Sequence, residues 1–551
     1  MLNLKSIKLY FFSVLKLSSL SLRNYYFSSN FYNKKLITFI PDRIFYKPSS
    51  YLSASLTTLS NDFYKITKDQ PQDLWKINLN DKQKFDHLHS FLWLTKLDRK
   101  DSKIITKDII KNWIDNFFNY HAHTWKAEIT ARRIISWVSN IDITLENSDK
   151  LYKKKFFISL VKQSNFLLKN LRKMPNGSSK IICCAAIILS GIIFKENEIN
   201  YKIGIKDLEK IIKSYFDEDG FPKTRNPEEV FISIKYLILI REWFKESQKP
   251  IPDFLNEIII KCGNCYTTLS CSNKQFPLFN GATEINYNDF DIFLKTLKYK
   301  FVSKNHEVGN LIKVKKKKFD LFFDCGNPPN KNYDKNYQAG CLSFEITSNK
   351  QKIICNSGYG KYLSAKLKYL SRSTAAHSTL YLNDTSSCSF QKNIFINKVY
   401  GNSITQEHKI LEKKYTEDKN YHLIMASHNG YEKKFGYIHE RSIKILKKED
   451  KIYGEDILKK TKNYSNPIRY SIRFHVYPDT KIVKTKAGNS VLISLPNKEG
   501  WLLQSDTNNF KIEKNIFLGN KNKIINNESI FISENINNEI IVIKWRIEKV
   551  S

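Results

Sequence analysis

The loop at residues 219–227 supplies the first side chains that could bind a ligand. It reads Asp-Gly-Phe-Pro-Lys-Thr-Arg-Asn-Pro and lies between two segments whose apolar residues recur at helical spacing. Arg225 could hold a carboxylate or a sulfate through two parallel hydrogen bonds, and Asn226 could donate to the same group. The alternative is a turn between helices in which Arg225 forms a surface ion pair.

Two tryptophans and an arginine form a second group. Arg133 and Trp137 are four residues apart, so they share one face of a predicted helix, and Trp125 lies shortly before them. An aromatic plate beside a cation could stack a sugar ring against a charge. Core packing is the commoner fate of such tryptophans and is the alternative.

A third group lies in the second half of the chain, next to runs with strand-like composition. Its members are Tyr337, Gln338, Arg372, His377 and His439. Tyrosine and histidine can act as a base or an acid, while the amide and the guanidinium can contact a ligand. Because an apolar run follows His377 at once, a structural histidine is the competing interpretation. The pair Glu440-Arg441 could simply be a surface ion pair.

Several catalytic classes lose support because their motifs are missing. The chain has no phosphate-binding glycine loop, no G-x-S-x-G and no H-E-x-x-H sequence. Cys262, Cys265 and Cys271 form one C-x-x-C with no second pair or nearby histidine, which leaves a zinc site short of a ligand. The nine cysteines, an odd number, indicate no disulfide framework. We expect neither a metal nor a cofactor.

The chain of 551 residues is strongly basic. Its 90 Lys and Arg against 54 Asp and Glu give a net charge of +36, which favours a polyanionic partner such as an acidic polysaccharide, nucleic acid or an acidic membrane surface. A general enrichment in Lys, Asn, Ile, Phe and Tyr explains dispersed lysines as a solvated surface instead. The run Lys313–Lys318 lacks interleaved aromatic residues for base stacking, so we expect a solvated loop there and no specific nucleic acid.

Apolar periodicity divides the chain into two parts. A hydrophobic content of 41% excludes wholesale disorder. From about residue 81 to 271 the apolar residues recur at helical spacing, and after about residue 285 short β-branched and aromatic runs follow, such as residues 321–323 and 468–476. We predict a partly helical extension over residues 1–70, an all-α domain over 71–284 and a β-sandwich-like domain over 285–551.

The first residues allow two interpretations. Lys5 and Lys8 precede an apolar run from Leu9 to Leu15, but Lys16 interrupts it and no small-residue cleavage site follows. The segment is either an export signal or an amphipathic helix on the body. No run of 18 uncharged apolar residues occurs, so we expect no transmembrane segment.

Taken in order, several segments resemble the heparinase II/III-like family, and more closely its bacterial branch. The resemblance covers roughly residues 35–550. The matching segments are residues 89–94 (HSFLWL), 125–137 (WKAEITARRIISW), 219–227 (DGFPKTRNP), 279–281 (FNG), 339–345 (AGCLSFE), 356–358 (NSG), 372–379 (RSTAAHST), 427–431 (SHNGY), 439–441 (HER) and 473–475 (RFH).

The resemblance implies an (α/α) toroid followed by an antiparallel β-sandwich. It also implies β-elimination at a uronic acid residue of an acidic polysaccharide, and a location in the cell envelope or periplasm, with the cytoplasm as the alternative. Such chemistry needs donors that neutralise the uronate carboxylate, a base that removes the adjacent proton, and an acid that protonates the leaving oxygen.

This chain departs from the lytic members at the places that carry the chemistry. The tyrosine of their Ser-Pro-x-Tyr-His sequence is replaced by Glu229, and their Asn-His pair in an inner helix corresponds to Ser-Ser at residues 178–179. Their His-x-His-x-Asp run before the Leu-Ser-Phe-Glu strand reads as Asn336, Gln338 and Gly340. The expected histidines are therefore absent.

The family's metal site, where present, is also depleted. Its ligands correspond to Gln338, Asn356 and His377, so only the last histidine is retained. A bound zinc ion is therefore not expected.

Two hypotheses follow from the resemblance and its gaps. The first is a polysaccharide lyase in which Tyr337, His377 or His439 acts as base or acid. Substrate contacts would then come from Arg225, Asn226, Trp125, Arg133, Trp137, Gln338 and Arg372. The second is a glycan-binding or envelope-assembly protein that kept the fold and lost the elimination chemistry.

Overall fold

A computed structural model of the chain describes residues 4–56, 74–75, 82–303, 306–464, 466–507, 510–520 and 523–551. The start of the predicted helical part near residue 81 and the boundary near residue 70 lie outside the described residues. The chain divides into two compact units. Unit 1 comprises Met1–Gly220, Phe231–Gly263 and Asp289–Lys300, and unit 2 comprises Phe221–Val230, Asn264–Asn288 and Phe301–Ser551.

Helices make up the first part of the described chain. They are α1 Leu4–Ser28, α2 Asn30–Lys35, α3 Ser50–Ala54, α4 Lys82–Ser90, α5 Lys103–Phe117, α6 Ala127–Ser139, α7 Ile141–Thr144, α8 Lys150–Leu171, α9 Ser178–Ile193, α10 Glu198–Tyr215, α11 Pro227–Glu246, α12 Asp253–Leu269 and α13 Asn288–Thr296. Short 3-10 helices lie at Leu92–Lys96, Lys195–Asn197 and Thr374–Ala376.

Unit 1 is built around α9. Every residue of α9 after Ser179 is buried, as expected for a helix that is apolar on all sides. At Gly191 the next helix, α10, comes so close that a Cβ atom would lie 2.3 Å from the backbone nitrogen of Tyr201. Glycine is therefore needed at this crossing. The start of α8 is fixed by Asp149, whose carboxylate accepts from the backbone N–H of Tyr152 at 2.8 Å.

Strands dominate the second part. They are β1 Glu307–Val308, β2 Leu311–Lys316, β3 Phe319–Asp324, β4 Phe344–Ser348, β5 Gln351–Cys355, β6 Leu380–Leu382, β7 Ser389–Phe390, β8 Ile404–Gln406, β9 Ile410–Glu417, β10 Tyr421–His428, β11 Tyr437–Leu446, β12 Lys451–Lys460, β13 Arg469–Val476, β14 Lys481–Lys484, β15 Ser490–Ser494, β16 Gly500–Ser505, β17 Phe510–Phe517, β18 Ile525–Asn535 and β19 Ile540–Lys549. Short helices α14 Ala365–Leu370, α15 Ile394–Tyr400 and α16 Glu432–Phe435 lie between them.

Within the described residues, the longer strands of unit 2 form two antiparallel sheets. One has the order β1-β2-β3-β4-β5-β13-β18-β17, with β6 also paired to β13, and the other has the order β14-β15-β16-β19-β12-β11-β10-β9. Their apolar faces share one core, in which Phe344 stacks on Trp545 with 5.3 Å between ring centroids. Burial of alternate residues is clearest in β12 of the second sheet, whereas β3 and β4 of the first sheet are buried at every residue.

The predicted fold class is confirmed as a helical part followed by antiparallel sheets, and one local expectation is wrong. The run Lys313–Lys318, expected as a solvated loop, begins inside strand β2, and Lys313 is buried. Its ammonium donates to the carbonyls of Thr268 and Ser270 at 2.5 and 2.9 Å. A lysine can therefore be buried in a strand when backbone carbonyls accept the hydrogen bonds of its ammonium group, although a lysine-rich composition suggests a polar loop.

Candidate functional site

Arg225, at the end of a short loop of unit 2, forms a buried ion pair with Asp324. The two side chains lie 2.5 Å apart, and Arg225 also donates to the carbonyls of Gly326 and Asn327, both at 3.1 Å. Burial alone would lower the pKa of Arg225, but the Asp324 carboxylate outweighs it and raises that pKa. All three nitrogens of the guanidinium have partners, the last being Nε to the carbonyl of Gly309 at 3.4 Å. A ligand carboxylate would have to displace these contacts.

Two amide side chains hold the backbone next to this ion pair. Gln338 accepts from the N–H of Gly281 at 2.8 Å and donates to the carbonyls of Gly358 and Ser371 at 3.0 and 2.6 Å. Asn226 accepts from the N–H of Glu228 at 2.8 Å. Both side chains are buried. Gln338 thereby connects Gly281 with Ser371, 90 residues further along the chain, whereas the bond of Asn226 is local.

Tyr337 and His377 are enclosed near Asp324. Tyr337 is 0% exposed, and its hydroxyl has no hydrogen-bond partner within the described part of the chain. Burial raises the pKa of Tyr337 well above its ordinary value. His377 is 1% exposed, its Nδ1 lies 2.8 Å from the carbonyl of Ser373, and burial lowers the pKa of its ring to about 4. The nearby carboxylate of Asp324 adds to the rise in the pKa of Tyr337 and partly opposes the fall in the pKa of His377.

The ring of His377 is clamped by its neighbour Gly340. A Cβ atom at residue 340 would lie 2.5 Å from Cδ2 of His377. Nε2 of His377 has no hydrogen-bond partner among the residues that the structure describes. The ring is therefore neutral at ordinary pH and closely packed, with one unsatisfied nitrogen.

His439 lies in a separate buried network. Its Nε2 is 2.7 Å from Asp456 and its Nδ1 is 3.3 Å from Nε2 of His428. Arg441 binds the same aspartate through two contacts of 2.8 and 3.0 Å, and Trp545 donates to it at 2.9 Å. Burial alone would raise the pKa of Asp456, but Arg441 and His439 outweigh it and lower that pKa. Burial lowers the pKa of His439, although Asp456 opposes this effect.

Arg372 is also buried and bonded to the backbone. It donates to the carbonyl of Tyr337 at 2.6 Å, to the carbonyl of Asp334 at 3.0 Å and to that of Asn402. Its guanidinium lies 3.9 Å above the ring centre of Phe390, and burial lowers its pKa to about 10. These bonds fix the loop that carries Tyr337.

The three candidates of unit 1 lie in its core. Trp125 and Trp137 are 1% and 0% exposed, and Trp137 packs edge-to-face on Trp113 at 5.4 Å. Arg133 is 0% exposed and donates to Gln163 at 2.7 Å. Its guanidinium lies 4.0 Å above Trp113, and burial lowers its pKa. The aromatic–cation contact expected from the sequence exists, but it is made inside the unit, to Trp113.

The positions that resemble the family's metal site serve the backbone. Asn356 accepts from the N–H of Ser378 at 3.1 Å and donates to the carbonyl of Leu278 at 3.3 Å. Across the described residues, no group of three or more His, Cys, Asp or Glu side chains is arranged to hold a metal ion. All nine cysteines are buried free thiols.

A basic and aromatic surface lies beside these loops. We call it the lysine–tyrosine ridge and define it as Lys361, Tyr362, Lys366 and Lys368. Nζ of Lys361 lies 5.3 Å from the ring centre of Tyr362 and 4.0 Å from the carboxylate of the buried Glu228, with 35% of the Lys361 side chain exposed. No Asp or Glu occurs between Glu345 and Asp384 in the sequence. Lys366 is exposed and the other three members are partly exposed, so the ridge is a partly solvent-accessible basic surface of unit 2 in which Lys361 pairs with Glu228.

Sequence reasoning missed two carboxylates, each at the centre of one of the buried networks described above. Asp324 ends strand β3, and Asp456 points inward from β12. An acidic residue at the end of an apolar strand was the available signal for Asp324. The structure thus brings Arg225, Tyr337 and His377 together around Asp324, and places His439 with Asp456. The catalytic and binding roles expected for these residues stay predictions.

The comparisons with known proteins agree with this architecture. The family described as "Heparinase II/III-like, C-terminal" matches residues 302–546. Among curated proteins, "FtsZ-localized protein C" of Caulobacter vibrioides is 23% identical over 438 residues, which are 76% of this chain and 74% of that protein.

Two solved structures share the fold. The heparan sulfate lyase HepC of Pedobacter heparinus is 13% identical with a TM-score of 0.62, over 94% of this chain and 87% of that one. A heparinase III structure is 15% identical with a TM-score of 0.67, over 85% of this chain and 77% of that one. The predicted (α/α) toroid followed by an antiparallel β-sandwich is confirmed by these neighbours. Residues 302–546 therefore belong to the heparinase II/III-like family, and the chain has the fold of the heparinase III lyases.

Proposed function

We propose that the protein binds an acidic polysaccharide and does not cleave it by β-elimination. One observation supports this proposal above the others. Tyr337, His377 and His439, the expected acids and bases, are 0%, 1% and 0% exposed. Elimination requires a base in contact with the sugar and donors aimed at its carboxylate. The enclosed positions of these groups do not meet that requirement.

The expected uronate clamp is also occupied. Arg225 faces Asp324 at 2.5 Å and three backbone carbonyls. Replacing one carboxylate with another from a ligand would leave Asp324 buried without its partner, which costs about 3–5 kcal/mol. These contacts therefore favour a structural role for Arg225 over substrate binding.

The lysine–tyrosine ridge is the surface that we assign to the polysaccharide. Its lysines and its tyrosine can contact sulfates, carboxylates and sugar rings. The fold shared with the heparan sulfate lyase HepC supports the choice of an acidic glycan as ligand class. Heparan sulfate is accordingly the first probe.

Binding can be tested by titrating the full chain with heparan sulfate and, as a neutral control, dextran. The double variant Lys366→Glu/Lys368→Glu, which keeps the Lys361–Glu228 pair, should bind heparan sulfate at least about fivefold more weakly, because each charge contact is worth about 0.5–1 kcal/mol. The matched control Lys414→Glu/Lys433→Glu changes the net charge equally at exposed lysines on other elements of unit 2. Equal losses in both double variants would contradict the ridge and indicate attraction to the overall charge.

A second candidate function is participation in cell division. It is favoured by the similarity to "FtsZ-localized protein C", which extends over 438 residues and so exceeds the family match. Co-sedimentation of the purified protein with FtsZ polymers tests this candidate. A cell-envelope or periplasmic location remains part of the proposal, and fractionation of cells that express the chain decides between it and the cytoplasm.

A further inference from the structure

Helix α1 exposes an unusual number of large apolar side chains. They are Ile7, Tyr10, Phe11, Phe12, Val14, Leu15, Leu22, Tyr25 and Tyr26. The exposed fraction reaches 60% for Phe11, 71% for Leu22 and 82% for Tyr25. Contiguous apolar surface of this kind marks an interaction site in a water-soluble protein.

Five of these residues form a stripe along one face of the helix. Ile7, Phe11, Val14, Leu22 and Tyr25 are separated by 4, 3, 8 and 3 residues, which keeps them aligned at 3.6 residues per turn. The helix has 25 residues and is about 37 Å long at 1.5 Å per residue. The apolar face therefore runs along most of a long element.

The opposite side of α1 is held by unit 1. Phe27 is buried and stacks on Tyr32 with 4.5 Å between ring centroids. Asn24 accepts from the hydroxyl of Tyr120 at 3.0 Å. Ser13, on the same side as Phe27, is 0% exposed. The helix is therefore oriented, with a fixed side toward unit 1 and the apolar face outward.

The charge of this segment selects the partner. Residues 1–41 contain Lys5, Lys8, Lys16, Arg23, Lys34 and Lys35 and no Asp or Glu. A second copy of the same cationic face would be repelled, whereas an anionic surface would be attracted. No described helix is long and apolar enough to cross a bilayer. A helix with an apolar face and basic flanks is suited to lie in the interface of an anionic membrane.

We infer that the exposed face of α1 docks the protein onto an anionic lipid surface. Ile7, Phe11, Leu22 and Tyr25 enter the headgroup boundary, while Lys8 and Lys16 contact the lipid phosphates. This inference is independent of the proposed polysaccharide binding, because the residues of the ridge belong to unit 2 and α1 belongs to unit 1.

Vesicle flotation of the full chain tests the inference. We expect the protein to float with vesicles that contain phosphatidylglycerol and to remain behind with vesicles of phosphatidylcholine alone. Phe11→Ser/Leu22→Ser should weaken partitioning at least about tenfold through loss of buried apolar area. Lys8→Glu/Lys16→Glu should also weaken partitioning, because it removes electrostatic attraction to the lipids, and this effect should shrink at high salt.

Matched controls come from the same unit. Ile104 and Leu151 are 76% and 67% exposed on other helices, so Ile104→Ser/Leu151→Ser removes comparable apolar area. Lys100→Glu/Lys154→Glu reverses the same charge at exposed positions. Both controls should float like the parent protein. The inference is overturned if the parent protein does not float, if controls and α1 variants lose binding alike, or if mass spectrometry of protein purified from cells shows that α1 has been removed.

Discussion

Substituting Asp324 with Asn tests whether the Arg225–Asp324 pair holds unit 2 together. The carboxylate accepts from Arg225 at 2.5 Å, from the N–H of Gly326 at 3.2 Å and from Asn280 at 3.4 Å. Asparagine keeps the shape of the side chain but leaves the guanidinium buried without its counter-ion. Removal of one partner from a buried pair costs about 3–5 kcal/mol, so we expect a loss in the free energy of unfolding of that size.

The assay must report unit 2 alone. Pulse-labelling hydrogen exchange at increasing urea, read on peptides that cover strands β2 and β3, meets this need. With a slope of about 3 kcal/mol per molar urea, the midpoint should fall by about 1–1.7 M. The double variant Arg225→Met/Asp324→Asn should be less destabilised than the sum of the single variants by at least about 1.5 kcal/mol, since the partners interact.

An exposed pair of the same residue types in unit 2 is the matched control. Arg469 and Asp384 lie 3.2 Å apart with side chains 49% and 72% exposed. Asp384→Asn should therefore change stability by less than about 1 kcal/mol. An Asp324→Asn variant as stable as Asp384→Asn would refute the structural role of the Arg225–Asp324 pair.

Three further predictions concern the enclosed residues. Because burial lowers the pKa of His377 to about 4, the unfolded chain binds more protons between pH 6.5 and 4, so the ring costs stability as the pH falls through that range. His377→Asn should reduce the loss in unfolding free energy between pH 6.5 and 5 by about 1.5 kcal/mol, measured by urea titration at each pH. Gly340→Ala should lower stability by about 1–3 kcal/mol because its Cβ would meet the His377 ring. Gly177→Ala, with nothing within 4 Å of its Cβ, should cost less than about 1 kcal/mol, from its position at the N-cap of α9. Trp137→Ala should lower the free energy of unfolding by about 3–5 kcal/mol, measured by heat or urea, because it removes a large side chain from the core. A variant that is stable but binds the glycan more weakly would instead support stacking of a sugar ring on Trp137.

The fold class could be predicted because periodicity reports local burial. The apolar run of α9 and the alternation in β13 follow directly from the faces that these elements bury. Short helices inside the second part, such as α14 and α15, were not predicted because their 6 and 7 residues form fewer than two turns, too few for a repeating helical pattern. Strand β2 was missed because Lys313 is satisfied by carbonyls from residues more than 40 positions away.

The candidate site was harder to predict than the fold. Residue types showed that Arg225, Tyr337 and His377 could do chemistry, but not that they are enclosed. Their burial depends on Asp324, Gly340 and the bonds of Gln338 and Arg372 to distant backbone groups, which are tertiary contacts without a sequence period. Considered one at a time, these side chains suggest catalysis. In the folded chain they form a buried polar network.

The most direct test of the account is the unsaturated-uronate absorbance produced when stoichiometric amounts of the full chain are mixed with heparan sulfate under conditions where binding is saturated. If the protein binds without cleaving, absorbance stays at the level of buffer alone while the polysaccharide is bound. A rise in absorbance that disappears in the Arg225→Ala and His377→Ala variants, with both variants shown to be folded, would contradict it and establish the chain as a lyase.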